Sequence, residues 1–178
     1  MNTITIKQAT ERDSETIARL GSTTYVESHG SFIENKNDLS HYIDSAFSHE
    51  KTTQELHDRQ NLFYLIFTDD LPIGYAKLVQ NSTHECVSSN QACRLERIYI
   101  LDKYIPLKVG KQFLAFTEEK AKSLEFDTLW LSVYVKNLRA IKFYEKNDFK
   151  DVGRLNFIVN GKEYDNIIFS KRLSLDTH

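Results

Sequence analysis

The residues Arg94–Phe149 constrain the fold of this chain more than any other stretch. A predicted strand, Arg94–Leu101, leads through a turn into a helix whose apolar residues share one face. A second strand, Thr128–Val135, is apolar enough to lie inside a sheet. A strand, a crossover helix and a strand form a parallel βαβ unit, in which the N-terminus of the helix lies at the carboxyl end of the first strand.

The turn inside this unit predicts a site for an anion. It contains Pro106 and Gly110 and precedes the helix directly. The first N–H groups of a helix have no carbonyl partner inside the helix, and the helix dipole adds a partial positive charge there. A phosphate or pyrophosphate group is therefore expected at this turn.

The composition indicates one globular domain, residues 1–178. Lys plus Arg total 23 and Asp plus Glu total 25, so the formal net charge is −2. No basic footprint for nucleic acid is evident in this balance, and we expect no nucleic-acid partner. A charged fraction of 27% and an aromatic fraction of 12% are typical of a folded protein rather than a disordered one.

Membrane and metal sites are not expected. The N-terminus has no apolar signal region, and the longest apolar run, Leu62–Phe67, is too short to span a bilayer. The sequence thus predicts a cytoplasmic protein without a membrane partner. Cys86 and Cys93 are too few for a disulfide framework, and His84 alone does not complete a zinc site with them. We expect reduced thiols and no metal.

Before this unit the chain alternates short strands and helices. A strand is predicted at Thr3–Lys7, and Thr10 with Asp13 resembles a capping box that starts a helix. Gly21 is expected to interrupt or end that helix, and Tyr25–Asn37 to form a loop with one helical turn. Two further helices are predicted at Asp38–Phe47 and Ser48–Arg59, a usual place for a substrate lid.

Hairpins are predicted on both sides of the parallel crossover. Strands at Leu62–Phe67 and Ile73–Val79 flank the turn residues Asp69–Pro72, and Asn81–Gln91 is expected to be a loop. Near the C-terminus, Asn160-Gly161 joins two β-rich runs, Arg154–Asn160 and Lys162–Phe169, which is a strong hairpin signal. The order predicts an α+β, three-layer fold: a mixed sheet with helices on both faces.

The order and spacing of several short runs resemble the GCN5-related N-acetyltransferases, from Thr3 to about Leu173. Within that family the chain is most similar to bacterial spermidine/spermine acetyltransferases of the PaiA type. The runs that carry the resemblance are Ala46-Phe47, Leu95–Ile100, Leu129–Asn137, and Ala140 with Phe143–Lys146 and Phe149. The resemblance implies the GNAT fold, acetyl-CoA as cosubstrate, and a small amine as acceptor. It is also compatible with a homodimer through the Asn160-Gly161 hairpin.

The family's phosphate loop is only partly kept. Its pattern is Arg or Gln, two residues, Gly, one residue, and Gly or Ala. Here Ile105 replaces the Arg or Gln, Lys108 replaces the first Gly, and Gly110 alone is retained. Backbone amides can still bind phosphate, although Pro106 donates none. The resemblance implies that the amides of five residues bind the pyrophosphate, with the charges of the two lysines in support: Leu107, Lys108, Val109, Gly110 and Lys111.

The family's second motif is better kept. Asn137 matches the asparagine that hydrogen-bonds the pantetheine arm, and the alternative is that it serves only as a helix N-cap. Tyr144, seven residues on, matches the tyrosine that protonates the departing thiolate. The alternative for Tyr144 is a core aromatic residue packed beside Phe143. Asp148 replaces the usual glycine before Phe149, and aspartate tolerates the left-handed backbone that such a helix end requires.

The strand before the turn carries the remaining chemistry. The resemblance implies that the segment Ile98, Tyr99 and Ile100 binds the cosubstrate, with the amides of Ile98 and Ile100 on the pantetheine arm and that of Ile98 on the oxyanion. Glu96 is the candidate base. It shares an otherwise apolar strand face, where its pKa is expected to rise. A structural ion pair with Arg94 or Arg97 is the alternative.

Recognition of the acceptor rests on fewer residues. A polyamine site requires carboxylates and aromatic faces for its ammonium groups. Tyr25, Glu27 and Tyr42 are the candidates, although such residues often form no more than a solvated face. An amino acid, a peptide N-terminus or an aminoglycoside is the alternative acceptor. A module that binds CoA without turnover is the alternative to an enzyme.

Overall fold

The structure, a computed structural model, describes residues 3–174 of the 178. It contains seven strands and five α-helices, with two 3₁₀ segments at Glu11–Asp13 and Asp102–Leu107. In chain order the elements are β1 Ile4–Gln8, α1 Ser14–His29, α2 Lys36–Ala46, α3 His49–His57, β2 Asn61–Thr68, β3 Leu71–Val79, β4 Ala92–Ile100, α4 Gly110–Ser123, β5 Thr128–Tyr134, α5 Leu138–Lys146, β6 Lys150–Val159 and β7 Lys162–Arg172.

The strands form one mixed sheet in the order β1-β2-β3-β4-β5-β7-β6, with helices on both faces. β4 and β5 are parallel and pair Ala92–Arg94 with Thr128–Trp130. The β1–β2, β5–β7 and β6–β7 pairs are antiparallel. The predicted α+β fold with a single parallel crossover is therefore confirmed. No helix within residues 3–174 is long and apolar enough to span a membrane.

The chain folds into two compact units. The first comprises the residues up to Leu78 together with Arg97–Phe113, and the second comprises Val79–Glu96 and the residues from Leu114 onward. That the whole chain is one domain stays a prediction. One buried cluster of the first unit is made by residues of α1, β2 and β3: Ile17, Leu20, Phe63, Leu65 and Tyr75.

The first helix is longer than its sequence predicts. Gly21 neither interrupts nor ends α1, and the helix continues to His29. A Cβ atom on Gly21 would lie 2.5 Å from Cδ1 of Phe47, so this glycine permits a close side-chain approach instead of breaking the helix. The prediction of a loop over Tyr25–Asn37 was wrong, since only residues 30–35 separate α1 from α2. The capping box is present: the Thr10 amide donates to Oδ2 of Asp13 at 2.8 Å.

The second unit buries Val87, Ala92, Trp130 and Ile168 together. Its C-terminal hairpin confirms the turn prediction, since Asn160 and Gly161 both adopt positive φ (45° and 78°), as a two-residue hairpin turn requires. The strands extend beyond the predicted bounds, and β6 starts at Lys150 because a bulge between Asp151 and Gly153 lets the ladder continue.

The other predicted turn is shorter than expected. Asp69 and Asp70 both adopt positive φ and make a two-residue turn, so β3 begins at Leu71 and Pro72 lies within the strand.

Both cysteines are free thiols, as predicted. Burial raises the pKa of the Cys93 thiol to about 12, so this thiol stays protonated at neutral pH.

Candidate active site

The last residues of β4 direct two amides away from β3. The amide of Leu101 donates to the carbonyl of Ile73 at 2.9 Å. Because successive N–H groups of a strand point to opposite sides, the amides of Ile98 and Ile100 lie on the other edge of β4. Gly74 supports this arrangement, since a Cβ atom there would clash with the carbonyl oxygen of Tyr99. This edge can hydrogen-bond an extended chain laid alongside it.

The turn after β4 keeps the backbone conformation that a glycine would favour. Lys108 adopts φ 56° and ψ 27°, the left-handed region, and its amide donates to the carbonyl of Ile105 at 2.9 Å. The start of the turn is held by Glu27, whose Oε2 accepts the amide of Asp102 at 2.9 Å. A lysine therefore occupies the glycine position of the family pattern in a left-handed conformation, at a conformational cost of about 1–2 kcal/mol.

The N-terminus of α4 follows this turn. The amide of Phe113 donates to the Val109 carbonyl, so the helical hydrogen bonds begin at Val109. The amides of Val109, Gly110 and Lys111 precede the first such bond and point out of the helix end. Val109 and Phe113 are buried, which anchors the helix, while Leu107, Lys108 and Lys111 are exposed. Of the five predicted phosphate donors, the Lys108 amide is already bonded within the turn.

In the second unit, Asn137 caps α5. Its Oδ1 accepts the amide of Ala140 at 3.2 Å, so the predicted cap is present. No residue within 3–174 accepts a hydrogen bond from its Nδ2 group, which leaves that NH2 group to donate to a ligand carbonyl. Asp148 adopts φ 68°, and this confirms that aspartate accommodates the left-handed backbone at the end of α5.

Tyr144 lies among aromatic rings of the second unit. Its side chain is buried, and its ring centroid is 5.3 Å from that of Phe143, 5.6 Å from that of Phe149 and 6.2 Å from that of Phe169. These contacts fix the position of the ring. They fit both predicted roles, because a general acid also needs a fixed side chain.

Glu96 is half-buried and its Oε2 atom is enclosed. The two arginines considered as its partners have contacts elsewhere in their own units. Arg97 donates to Oε2 of Glu55 at 3.2 Å, and the guanidinium of Arg94 lies 4.8 Å from the Trp130 ring centroid. These contacts are compatible with either role of Glu96, so its assignment as the base stays a prediction.

The helical insertion of the first unit carries an aromatic cluster. The buried Tyr25 ring stacks on His29 with centroids 4.5 Å apart and planes 10° apart, and it contacts Tyr42 at 4.8 Å and Phe47 at 5.4 Å. The rings of His29 and Tyr99 make an edge-to-face contact with their centroids 6.1 Å apart. Tyr25 and Tyr42, two of the predicted acceptor residues, are thus brought together, while the third, Glu27, holds the Asp102 amide.

Sequence reasoning does not identify His29. The available signal is its spacing from Tyr25, because residues i and i+4 of a helix lie on the same face. The prediction of a loop over Tyr25–Asn37 hides that spacing, since it applies only to a helix.

The chain belongs to the acetyltransferase (GNAT) family, whose sequence model matches residues 25–149. It is therefore a GNAT-type N-acetyltransferase, as its sequence predicts. Over 174 residues it is 25% identical to an uncharacterized N-acetyltransferase in the pepI 3′ region of Lactobacillus delbrueckii subsp. lactis, covering 97% of this chain and 99% of that protein.

Solved structures agree on the fold. The PaiA N-acetyltransferase of Thermoplasma acidophilum, crystallised in complex with coenzyme A, has a TM-score of 0.74 and 22% identity, covering 96% of this chain and 99% of that one. A mutant form of the spermidine/spermine N-acetyltransferase SpeG of Vibrio cholerae has a TM-score of 0.69 and 17% identity, covering 96% and 94%. Within residues 3–174, no group of three or more His, Cys, Asp or Glu side chains could hold a metal ion.

Proposed function

We propose that the protein transfers the acetyl group of acetyl-CoA to a primary amine of a small cationic acceptor, a polyamine such as spermidine or spermine. Membership in the acetyltransferase (GNAT) family carries this proposal. The similar Thermoplasma acidophilum structure holds coenzyme A, which supports the donor, and the similar Vibrio cholerae enzyme acts on spermidine and spermine, which supports the acceptor.

In the first unit, the proposed donor contacts are made by the backbone. The outward amides of Ile98 and Ile100 would pair with the pantetheine arm as a neighbouring strand does, with Tyr99 between them. The pyrophosphate would meet the N-terminus of α4, whose outward amides belong to Val109, Gly110 and Lys111. The exposed side chains of Leu107 and Lys108 border the same turn.

The proposed chemistry is direct attack. The neutral amine nitrogen forms a bond to the thioester carbonyl carbon, the carbon–sulfur bond breaks, and the amine loses one proton while the thiolate gains one. The amide of Ile98 would stabilise the oxyanion. In the second unit, Glu96 would take the amine proton, Tyr144 would protonate the thiolate, and Nδ2 of Asn137 would hold a pantetheine carbonyl.

The role of Glu96 is tested by the Glu96→Gln variant. Glutamine keeps the shape of the side chain but cannot take a proton, so the acidic limb of the pH–rate profile should flatten. An unchanged profile would assign the amine proton to another group and leave Glu96 a structural role.

The cosubstrate is the first step to test. We would titrate acetyl-CoA against the protein and follow the melting temperature. A ligand at about 100 times its Kd stabilises the folded state by about 2.7 kcal/mol, which shifts the melting temperature clearly. No shift at millimolar acetyl-CoA would contradict the proposal, and coenzyme A without the acetyl group is the matched comparison.

The acceptor is tested by a panel of amines. Spermidine and spermine should be acetylated with a higher kcat/KM than an amino acid, a peptide with a free N-terminus or an aminoglycoside. A preference for one of these other amines would replace the polyamine. Binding of acetyl-CoA without turnover of any amine would favour a regulatory module.

The homodimer through the Asn160-Gly161 hairpin also stays a prediction, which is tested by measuring the mass of the protein in solution.

A further inference from the structure

The last turn of α1 lies beside the end of β4 within the first unit. Two contacts establish this. Glu27 accepts the amide of Asp102, two residues beyond β4, and the ring of His29 makes an edge-to-face contact with that of Tyr99, on β4 itself. The planes of the His29 and Tyr99 rings are 80° apart. His29 is therefore held next to the strand whose amides we assign to the acetyl donor.

The hydrogen bonds of Ser28 favour one tautomer of His29 over the other. Oγ of Ser28 donates its only proton to the carbonyl of Thr24 at 2.7 Å. The same Oγ lies 2.6 Å from Nδ1 of His29 and accepts a hydrogen bond there when its own proton stays on the Thr24 carbonyl. This arrangement favours the tautomer with the proton on Nδ1, in which Nε2 of the neutral ring carries the lone pair. No residue within 3–174 hydrogen-bonds Nε2.

Burial keeps this ring neutral. Desolvation lowers the pKa of His29 from 6.5 to about 4. At neutral pH the side chain thus brings no positive charge and offers a single acceptor atom. Tyr25, stacked against the ring face at 4.5 Å, prevents the imidazole from turning away.

We propose that Nε2 of His29 accepts a hydrogen bond from an N–H of the acceptor amine, which makes His29 an acceptor-binding residue. The proposal rests on the proposed function, since it assumes that the acetyl donor lies along β4. A neutral primary amine has two N–H groups and one lone pair, so a hydrogen bond to Nε2 leaves the lone pair free to attack. A protonated imidazole would instead repel a cationic acceptor.

This assignment changes the role of Tyr25. The sequence predicts direct contact of Tyr25 with the acceptor, but the tyrosine is buried beneath the imidazole. Its proposed task is to position His29, while His29 makes the contact. Tyr42 packs on the same buried tyrosine and completes the support.

The test is the His29→Phe variant. Phenylalanine keeps a ring that can stack on Tyr25 and removes both nitrogens. With the best amine of the panel, kcat/KM should fall about 10- to 100-fold, mainly through KM, because a hydrogen bond to an amine is lost. The melting-temperature shift produced by acetyl-CoA should be unchanged. His57→Gln is the matched control, because His57 is exposed, contacts Glu11 at 3.0 Å and should leave kcat/KM unaffected.

A second measurement does not depend on turnover. In ¹⁵N NMR spectra of the wild-type protein, Nε2 of His29 should appear as the unprotonated nitrogen, and its signal should move when amine is added to the complex with CoA. The Ser28→Ala variant removes the acceptor for Nδ1–H, so both tautomers should then be populated. A protonated Nε2 in the wild type, or a signal that ignores the amine, would overturn the proposal.

The outcomes separate this proposal from the proposed function. Wild-type protein that neither binds acetyl-CoA nor acetylates an amine contradicts the function itself. Wild-type protein that does both, with His29→Phe equal to it in kcat/KM, contradicts only the assignment of His29.

Discussion

Two regions of the chain differ in how much of the family pattern they have kept: the turn Ile105–Lys111 and the segment Asn137–Tyr144. The turn has lost two of its three characteristic residues, yet Lys108 adopts the left-handed backbone that glycine favours. The segment has kept both of its side chains, yet each has a structural contact as well. Oδ1 of Asn137 caps α5, and Tyr144 packs among phenylalanines.

The difference follows from the atoms that each region offers to a ligand. The turn would bind phosphate through N–H groups, which every residue except proline supplies, so its sequence can change while its geometry stays. The segment would act through the side-chain amide of Asn137 and the phenol of Tyr144, so these two positions require those particular amino acids. The presence of a tyrosine in the sequence, however, does not distinguish a catalytic tyrosine from one that only packs in the core.

The largest expected effect tests the tyrosine. In Tyr144→Phe the ring contacts remain but the acidic proton is lost, so kcat should fall about 100-fold or more, as is typical of general acid catalysis. The affinity for acetyl-CoA and the melting temperature should change little, because the phenylalanine fills the same space. Single-turnover kinetics with a saturating amine measures the step directly. Unchanged turnover would make Tyr144 a core residue only.

An intermediate effect is expected at Asn137, where the cap and the ligand contact use different atoms. Asp and Ser both cap helices well, but neither has an amide donor. In Asn137→Asp and Asn137→Ser the melting temperature should be retained, while the Kd for acetyl-CoA should rise about tenfold for the lost hydrogen bond. Calorimetric titration measures the Kd. Agreement between the two variants excludes charge repulsion by the aspartate, and wild-type affinity in both would reduce Asn137 to a cap.

The features predicted correctly from the sequence are those with local causes. The hairpin at Asn160-Gly161 follows from two residues that tolerate positive φ, and the crossover from β4 to β5 follows from apolar patterning and chain length. The same reasoning recognises that aspartate at position 148 can end α5 as glycine does.

The errors lie where contacts distant in sequence decide the structure. The low helix propensity of glycine predicts a helix end at Gly21. The glycine is there for a different reason: the Phe47 side chain, 26 positions later, leaves no room for a Cβ atom at position 21. The loop predicted after it conceals the Tyr25–His29 stack. The tautomer of His29 depends on the carbonyl of Thr24, which becomes an acceptor for Ser28 only once α1 is known to continue. Sequence reasoning therefore misses His29 as a candidate site residue because the last turns of α1 are predicted to be a loop.

The smallest effect is expected at Lys108 and tests the turn. In Lys108→Gly the residue adopts φ 56° without steric cost, so the free energy of unfolding should rise by about 0.5–1 kcal/mol after the entropy of glycine is subtracted. The Kd for acetyl-CoA should change only about two- to threefold if backbone amides carry the phosphate, because the loss of one exposed charge contributes little. Lys108→Ala is the matched control, since it removes the same charge but keeps the strained backbone. Loss of binding in both variants would show that the ammonium group has taken over the task of the amides, and the turn would then depend on side-chain identity as the α5 segment does.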